Sequence, residues 1–315
     1  MTSTDVAGSP IRMRSRLNGQ LLFWFSKGMA RVLAPHYDTM EGLQSAIRKD
    51  RARGPARPPK RLLRKLVVRE ELHDDMLVFR VSPRGGATNK KLQLLYLHGG
   101  AFVLDLQRIQ WNLVARLLAE VDADMTIPIY PLGPEATWQQ TMAAVEKVYL
   151  DLANEHGASN VVVTGDSAGG GLSLLLAQAM RDNEKPMPNA LVLFSPIFDL
   201  SASGEDQPAL ERRDPSLSLS LVKNAFDLWA PSMSPQDPRI SPLFADHANL
   251  PPTIVFSGDR EILDSDARRL KEVNPAIQHL SYAEMAHVFP IGGTREGTHA
   301  MREAAAFIKA STQQG

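Results

Sequence analysis

Val161-Val162-Val163-Thr164-Gly165-Asp166-Ser167-Ala168-Gly169-Gly170-Gly171 is an apolar run that breaks into glycines around one serine. Three consecutive valines suit a strand buried on both faces. The segment Gly165-Asp166-Ser167-Ala168-Gly169 has the form Gly-x-Ser-x-Gly, and a helical pattern follows over 168–181. A serine hydroxyl becomes a useful nucleophile only when it stands clear of its neighbours and beside a base. A sharp strand-to-helix turn achieves this, and it needs glycines where other backbone crowds the serine. The helix opening at Ala168 also points its positive dipole end towards an oxyanion forming there. The competing reading is a glycine-rich turn that holds a phosphate at a helix N-terminus. The valine strand ahead and the helix behind favour the nucleophile.

Outward from this turn, strands and helices alternate. Strands are predicted at 65–72, 76–81 and 92–97. Helix 109–121 then leads to strand 124–130, helix 138–155 to strand 160–164, and helix 168–181 to strand 190–194. An irregular insertion at about 200–250 carries one helical stretch, 219–229. Strand 253–257, helix 264–273, strand 277–282 and helix 298–310 complete the chain. Such alternation predicts an α/β fold with a mostly parallel sheet and helices on both faces. Before it, Leu21, Leu22, Phe25, Met29 and Val32 follow helical spacing, and a second helical stretch covers 40–50. A basic connector, 48–65, holds nine Lys or Arg against Asp50 alone. No aromatic residues interleave those charges, so it reads as a solvated linker and not as a nucleic-acid surface.

The composition narrows the function classes. The 315 residues are 43% hydrophobic, enough for one large core. Lys plus Arg (35) equals Asp plus Glu (35), so no global field favours nucleic acid or an anionic membrane. The absence of cysteine excludes disulfides, a thiol nucleophile and thiolate metal sites. Arg12, Arg14 and Arg16 precede a short apolar run, but Ser26, Lys27 and Arg31 interrupt it and no small-residue cleavage site follows. No stretch approaches the roughly 20 apolar residues of a membrane span. A soluble, cytoplasmic protein is expected. Neither metal-ligand spacing nor a Gly-x-Gly-x-x-Gly turn is present, so no cofactor is expected, only water as co-substrate.

A second motif, Leu94-Leu95-Tyr96-Leu97-His98-Gly99-Gly100-Ala101-Phe102, also ends an apolar strand. Paired glycines let the backbone present free N–H groups to a developing oxyanion. The expected donors are Gly99, Gly100 and Ala168, with His98 ordering the loop. The base must lie past the C-terminal end of a parallel strand. Among eight histidines, His279 lies at the wrong end of its strand, His299 opens the last helix, and His36, His73, His156 and His247 are poorly placed. His287, between the last strand and last helix, completes a Ser…acid…His order and is the predicted base. The acid belongs in Gly258-Asp259-Arg260-Glu261-Ile262-Leu263-Asp264-Ser265-Asp266, where four carboxylates compete and composition does not rank them.

His98-Gly99-Gly100-Ala101, Gly165-Asp166-Ser167-Ala168-Gly169-Gly170 and His287-Val288-Phe289 together resemble the hormone-sensitive-lipase-like bacterial esterases of the α/β-hydrolase fold. Tyr130-Pro131-Leu132-Gly133-Pro134-Glu135 and Asp237-Pro238-Arg239-Ile240-Ser241-Pro242-Leu243, followed by Leu250-Pro251-Pro252, extend the likeness across about residues 65–310. The resemblance implies a catalytic Ser167, a base His287 and an acid at Glu261, with Asp264 as runner-up. It makes Asp199 structural. Ala101 replaces the last glycine of the family's His-Gly-Gly-Gly, a position not expected to donate. It also implies N-terminal cap helices and linker over 1–60, and a core over 61–315 with a cap insertion at about 200–235. Trp24, Phe25, Leu219, Phe226 and Trp229 are candidates for a substrate pocket or for the cap's own core.

The activity implied is hydrolysis of short-chain esters or small lactones through an acyl-enzyme. A ligand receptor on a retired hydrolase is the alternative from another class, and the presence of His287 argues against it. An amidase or peptidase would share the same machinery. A small-molecule ester or lactone is the expected partner, with a homodimer through the edge strand at 277–282 also in view.

Overall fold

The computed structural model describes residues 9–13 and 37–313. Its strands are β1 (Leu66–His73), β2 (Met76–Pro83), β3 (Gln93–Leu97), β4 (Asp124–Pro128), β5 (Val161–Asp166), β6 (Ala190–Phe194), β7 (Thr253–Gly258) and β8 (Gln278–Tyr282). They form one sheet in the order β1-β2-β4-β3-β5-β6-β7-β8. β1 and β2 pair antiparallel, as do β2 and β4, and every pairing from β4 to β8 is parallel. The mostly parallel α/β sheet read from the sequence is thus the fold.

The strands alternate between two buried faces. Leu95, Leu97, Val161, Val163, Leu191, Leu193 and Val255 enter one core. Leu94, Tyr96, Val162, Val192, Phe194, Ile254 and Phe256 enter the other. Both faces are covered, which is why these strands are continuously apolar. On the first face lie α3 (Trp138–His156), α4 (Ala168–Asp182) and α7 (Leu263–Val273); on the second lie α2 (Gln110–Glu120) and α8 (Arg295–Thr312). A third, smaller cluster joins α1 (Met40–Arg53) to α6 (Leu219–Trp229) through Leu43, Ile47, Leu221 and Ala225, with Val103 between them.

Three differences from the sequence reading are local. β5 extends to Asp166, so the strand runs directly into Ser167. A five-residue helix, α5 (Gln207–Glu211), opens the insertion. α8 starts earlier than read because the Thr294 side chain caps it, accepting from Gly297 N at 3.0 Å. The helical reading of 17–36, with Trp24 and Phe25, lies outside the described residues. β8 is an edge strand, and Ile11 pairs beside its end, donating to Ser281 O at 2.7 Å and accepting from Ala283 N at 3.1 Å. Among the described residues no helix is long and apolar enough to cross a membrane.

Candidate active site

Parallel pairing places the C-terminal ends of β3, β5, β7 and β8 along one edge of the sheet, and the motif residues follow those ends. Ser167 links β5 to α4 at φ 53° and ψ −121°. A residue with a side chain enters that region only where its surroundings impose it, at about 1–3 kcal/mol. The glycines show how it is imposed. A Cβ on Gly169 would lie 1.9 Å from Leu97 O, and one on Gly165 2.4 Å from Gly169 O. Strand and helix therefore approach closer than any side chain permits. Ser167 N donates to Phe194 O of β6 at 2.9 Å, while Gly170, Gly171 and Ile197 amides donate to Ser167 O. The serine lines a cavity of about 460 Å³, together with Gly100, Ala101, Leu217, Met285 and His287.

Asp166 is buried beside the serine. Its carboxylate accepts from the Tyr96 hydroxyl, from Gly99 N at 2.9 Å and from Gln110 Nε2 at 2.9 and 3.2 Å. This corrects the reading of the oxyanion loop. The Gly99 amide is committed to Asp166 and cannot serve a ligand as well. The amides of Gly100, Ala101 and Ala168 have no protein acceptor among the described residues. Gly100 has φ 139°, and a Cβ there would lie 2.3 Å from Leu104 O. Ala101, not expected to donate, is thus an open amide at the cavity wall, and Gly99 is not. His98 behaves as a loop-ordering residue. Its Nδ1–H donates to Gly99 O at 2.9 Å and its ring stacks on Tyr130 at 4.4 Å. Burial lowers its pKa, so the ring is neutral.

The loop is also held from α1. Asp50 accepts from Asp105 N at 2.7 Å and from Gln107 Nε2 at 2.8 Å, and Arg51 Nη2 donates to Val103 O at 3.0 Å.

His287 and Glu261 meet. His287 Nδ1–H donates to Glu261 Oε2 at 2.6 Å, leaving Nε2 for the cavity side. The Glu261 side chain is fully buried, and its other oxygen accepts from Ser195 Oγ and Gly258 N, each at 2.7 Å. Ser195 Oγ in turn accepts from Val288 N at 2.9 Å, fixing the residue after the histidine. Burial lowers the His287 pKa, but the Glu261 hydrogen bond and the charges of Glu261, Asp214 and Asp166 outweigh it, so the net shift is upward.

The other carboxylates are engaged elsewhere. Asp264, the runner-up acid, accepts from Ser257 Oγ at 2.6 Å, Ser281 Oγ at 2.9 Å and Arg268 Nε at 2.9 Å. His279 joins that cluster through Ser257 Oγ at 2.7 Å. Asp259 accepts from Glu284 N at 2.7 Å. Asp266 accepts from the Phe198 and Asp199 amides, and burial pushes its pKa up to about 7. Asp199 pairs with Arg269 at 2.7 Å and accepts from Ser203 Oγ at 2.7 Å, a structural arrangement.

The sequence reading did not single out Asp214. Its Oδ1 accepts from Ser216 N at 2.8 Å and Leu217 N at 3.0 Å, and its Oδ2 accepts from Ile262 N at 2.9 Å. It ties the wall residue Leu217 to the residue after Glu261, and burial raises its pKa to about 6. Asp-Pro-Ser, with an Asp side chain reaching the amide two residues on, was the available signal. Among the aromatic pocket candidates, Trp229 stacks on Phe102 at 4.1 Å and donates to Thr141 Oγ1 at 3.0 Å, inside the core. Leu217 and Leu221 take the wall position instead. Among the described residues no group of three metal-ligating side chains is assembled.

A family model described as alpha/beta hydrolase fold matches residues 94–291. The chain is 32% identical over 181 residues to an esterase of Acinetobacter venetianus, covering 57% of this chain and 60% of that protein. It is 30% identical over 232 residues to an acetyl-hydrolase of Streptomyces hygroscopicus, covering 70% of this chain and 77% of that one. The crystal structure of an esterase from the bacterial hormone-sensitive lipase family superposes with a TM-score of 0.80 at 24% identity, over 95% of this chain and 99% of that one, a likeness of fold.

Proposed function

This chain belongs to the alpha/beta hydrolase fold family and is a carboxylesterase, and we propose that it cleaves short-chain esters or small lactones through an acyl-enzyme at Ser167. In this reading His287 Nε2 takes the Ser167 proton as Oγ attacks the ester carbonyl, and returns it to the departing alcohol. Water then attacks the acyl-enzyme by the same route and frees the acid. Glu261 holds the imidazole in the Nδ1–H tautomer and stabilises its cation. The Gly100, Ala101 and Ala168 amides receive the oxyanion, each contributing about 3 kcal/mol to the transition state.

The observation that carries the reading is the 2.6 Å contact of a fully buried Glu261 with His287, across one cavity from a strained Ser167. The short acyl chain rests on a second one. Beside Ser167, on the side of Ile197, Leu200, Leu221 and Val222, lies a small apolar pocket of about 20 Å³. A space of that size holds about one small group, whereas the main cavity of about 460 Å³ suits a larger alcohol.

A p-nitrophenyl ester series from acetate to octanoate, run on the native protein and on Ser167→Ala, tests both parts. We expect kcat/KM to peak at acetate or propionate. Activity should drop about 10⁴-fold or more in Ser167→Ala. Turnover that survives the substitution would overturn the nucleophile, and a maximum at octanoate would overturn the acyl pocket.

A further inference from the structure

The basic connector does not lie idle on the surface. Residues 53–61 form one wall of a groove of about 1120 Å³, and Leu106–Ile109 with Asn112 form the other. The Ala56 amide donates to Leu106 O at 2.9 Å, and Trp111 Nε1 donates to Ala56 O at 2.7 Å, so the two walls are tied at the base. Arg53, Arg57, Lys60 and Arg61 are exposed on one side and Arg108 on the other.

The internal charge balance leaves a surplus. Arg57 is paired with Glu70 at 2.8 Å, and Arg61 donates to the neutral Asn112 Oδ1 at 2.7 Å. Arg53, Lys60 and Arg108 have no carboxylate within ion-pair distance among the described residues. Asp50 also lines the groove, but its oxygens accept from Asp105 N and Gln107 Nε2. The chain as a whole is neutral, so this surplus is local. The groove also adjoins the reaction site, because Gln107 and Ile109 line both it and the cavity of Ser167.

We infer that this groove binds an anionic group, a carboxylate or a phosphate, carried on the alcohol part of the ester whose acyl end sits at Ser167. The inference rests on the ester-hydrolase reading above. A concave wall of like-signed cations focuses its field on an incoming anion, and guanidinium forks match the oxygens of both groups. The pocket proposed for the acyl group is small and lined by apolar side chains, so the charge belongs on the alcohol side.

The test compares ω-acetoxyalkanoates of increasing length with their methyl esters, and ω-acetoxyalkyl phosphates with the same neutral set. At one chain length the native protein should prefer the anion by about ten-fold in kcat/KM, mostly through KM, and the preference should fall with added salt. The series that shows it distinguishes carboxylate from phosphate. In Lys60→Glu/Arg108→Glu the anionic-to-neutral ratio should fall to about one or below. Equal rates at every length, or a preference that survives the charge reversal, would overturn the groove. A calorimetric titration with a non-hydrolysable alkyl phosphate keeps the two readings apart. Binding lost in the double variant supports the groove even if no ester turns over, and binding equal in both proteins rejects it.

Discussion

The loop after β3 and the turn after β7 stand on the same edge of the sheet but are secured in opposite ways. In the β3 loop a carboxylate, Asp166, takes the Gly99 amide so that the next amides stay open, and Asp50 and Arg51 fasten the rest. In the β7 turn the carboxylate is itself the proposed catalytic acid. Glu261 is gripped by Ser195 and Gly258 on one oxygen so that the other meets His287. One loop keeps donors unpaired and the other keeps an acceptor aimed. Both use buried carboxylates, whose charge-assisted hydrogen bonds are roughly twice as strong as neutral ones.

Four substitutions break or sharpen that contrast. Glu261→Gln should have the largest effect, lowering kcat about 10³-fold or more. It removes the negative charge that helps raise the His287 pKa, so the acid limb of kcat/KM should move to lower pH. The native protein loses its base as pH falls through that raised value; an unmoved limb would count against Glu261. Asp166→Asn comes next. An amide cannot accept from Tyr96, Gly99 and Gln110 together, so the donors shift, and kcat should fall about 100-fold with KM little changed, measured on p-nitrophenyl acetate.

Asp214→Asn should cost about ten-fold. The amide oxygen can serve Ile262 or the Ser216–Leu217 pair but not both, and loss of a negative charge facing His287 should again lower the acid limb. A fall in kcat without that pH movement would mean the contact is only architectural. The smallest effect on rate belongs to Asp264→Asn, within about two-fold of native, with about 2 kcal/mol lost from stability in a denaturant titration. Collapse of turnover there, with Glu261→Gln left active, would reverse the assignment of the acid.

The sheet was readable because its chemistry is local and periodic. Val161 to Val163 and Leu191 to Phe194 alternate between two covered faces, and short, valine-rich apolar runs bounded by turn signals suit strands buried on both sides. Ser167 was readable because the glycines around it are there for contact distance, which the motif displays. The identity of the open amides was not, since it depends on Asp166, 67 residues from Gly99, taking one of them. The choice among Asp259, Glu261, Asp264 and Asp266 needed the resemblance, because residues so close in sequence point to different neighbours once α7 begins. Asp214 stayed hidden for a related reason: its partner Ile262 is 48 residues away.

The bonds that Asp166 makes to Gly99, Gln110 and Tyr96 join the turn of Ser167, the proposed nucleophile, to the loop after β3. A bulky guest pressing on that side of the chamber would displace attacker and anion nest together and forfeit the reaction. Room for new substrates is better sought at Leu217, Leu221, Met285 and Phe289, whose side chains line the same cavity and make none of those bonds. Anyone seeking to retune this catalyst by randomising side chains has those four positions as the place to begin.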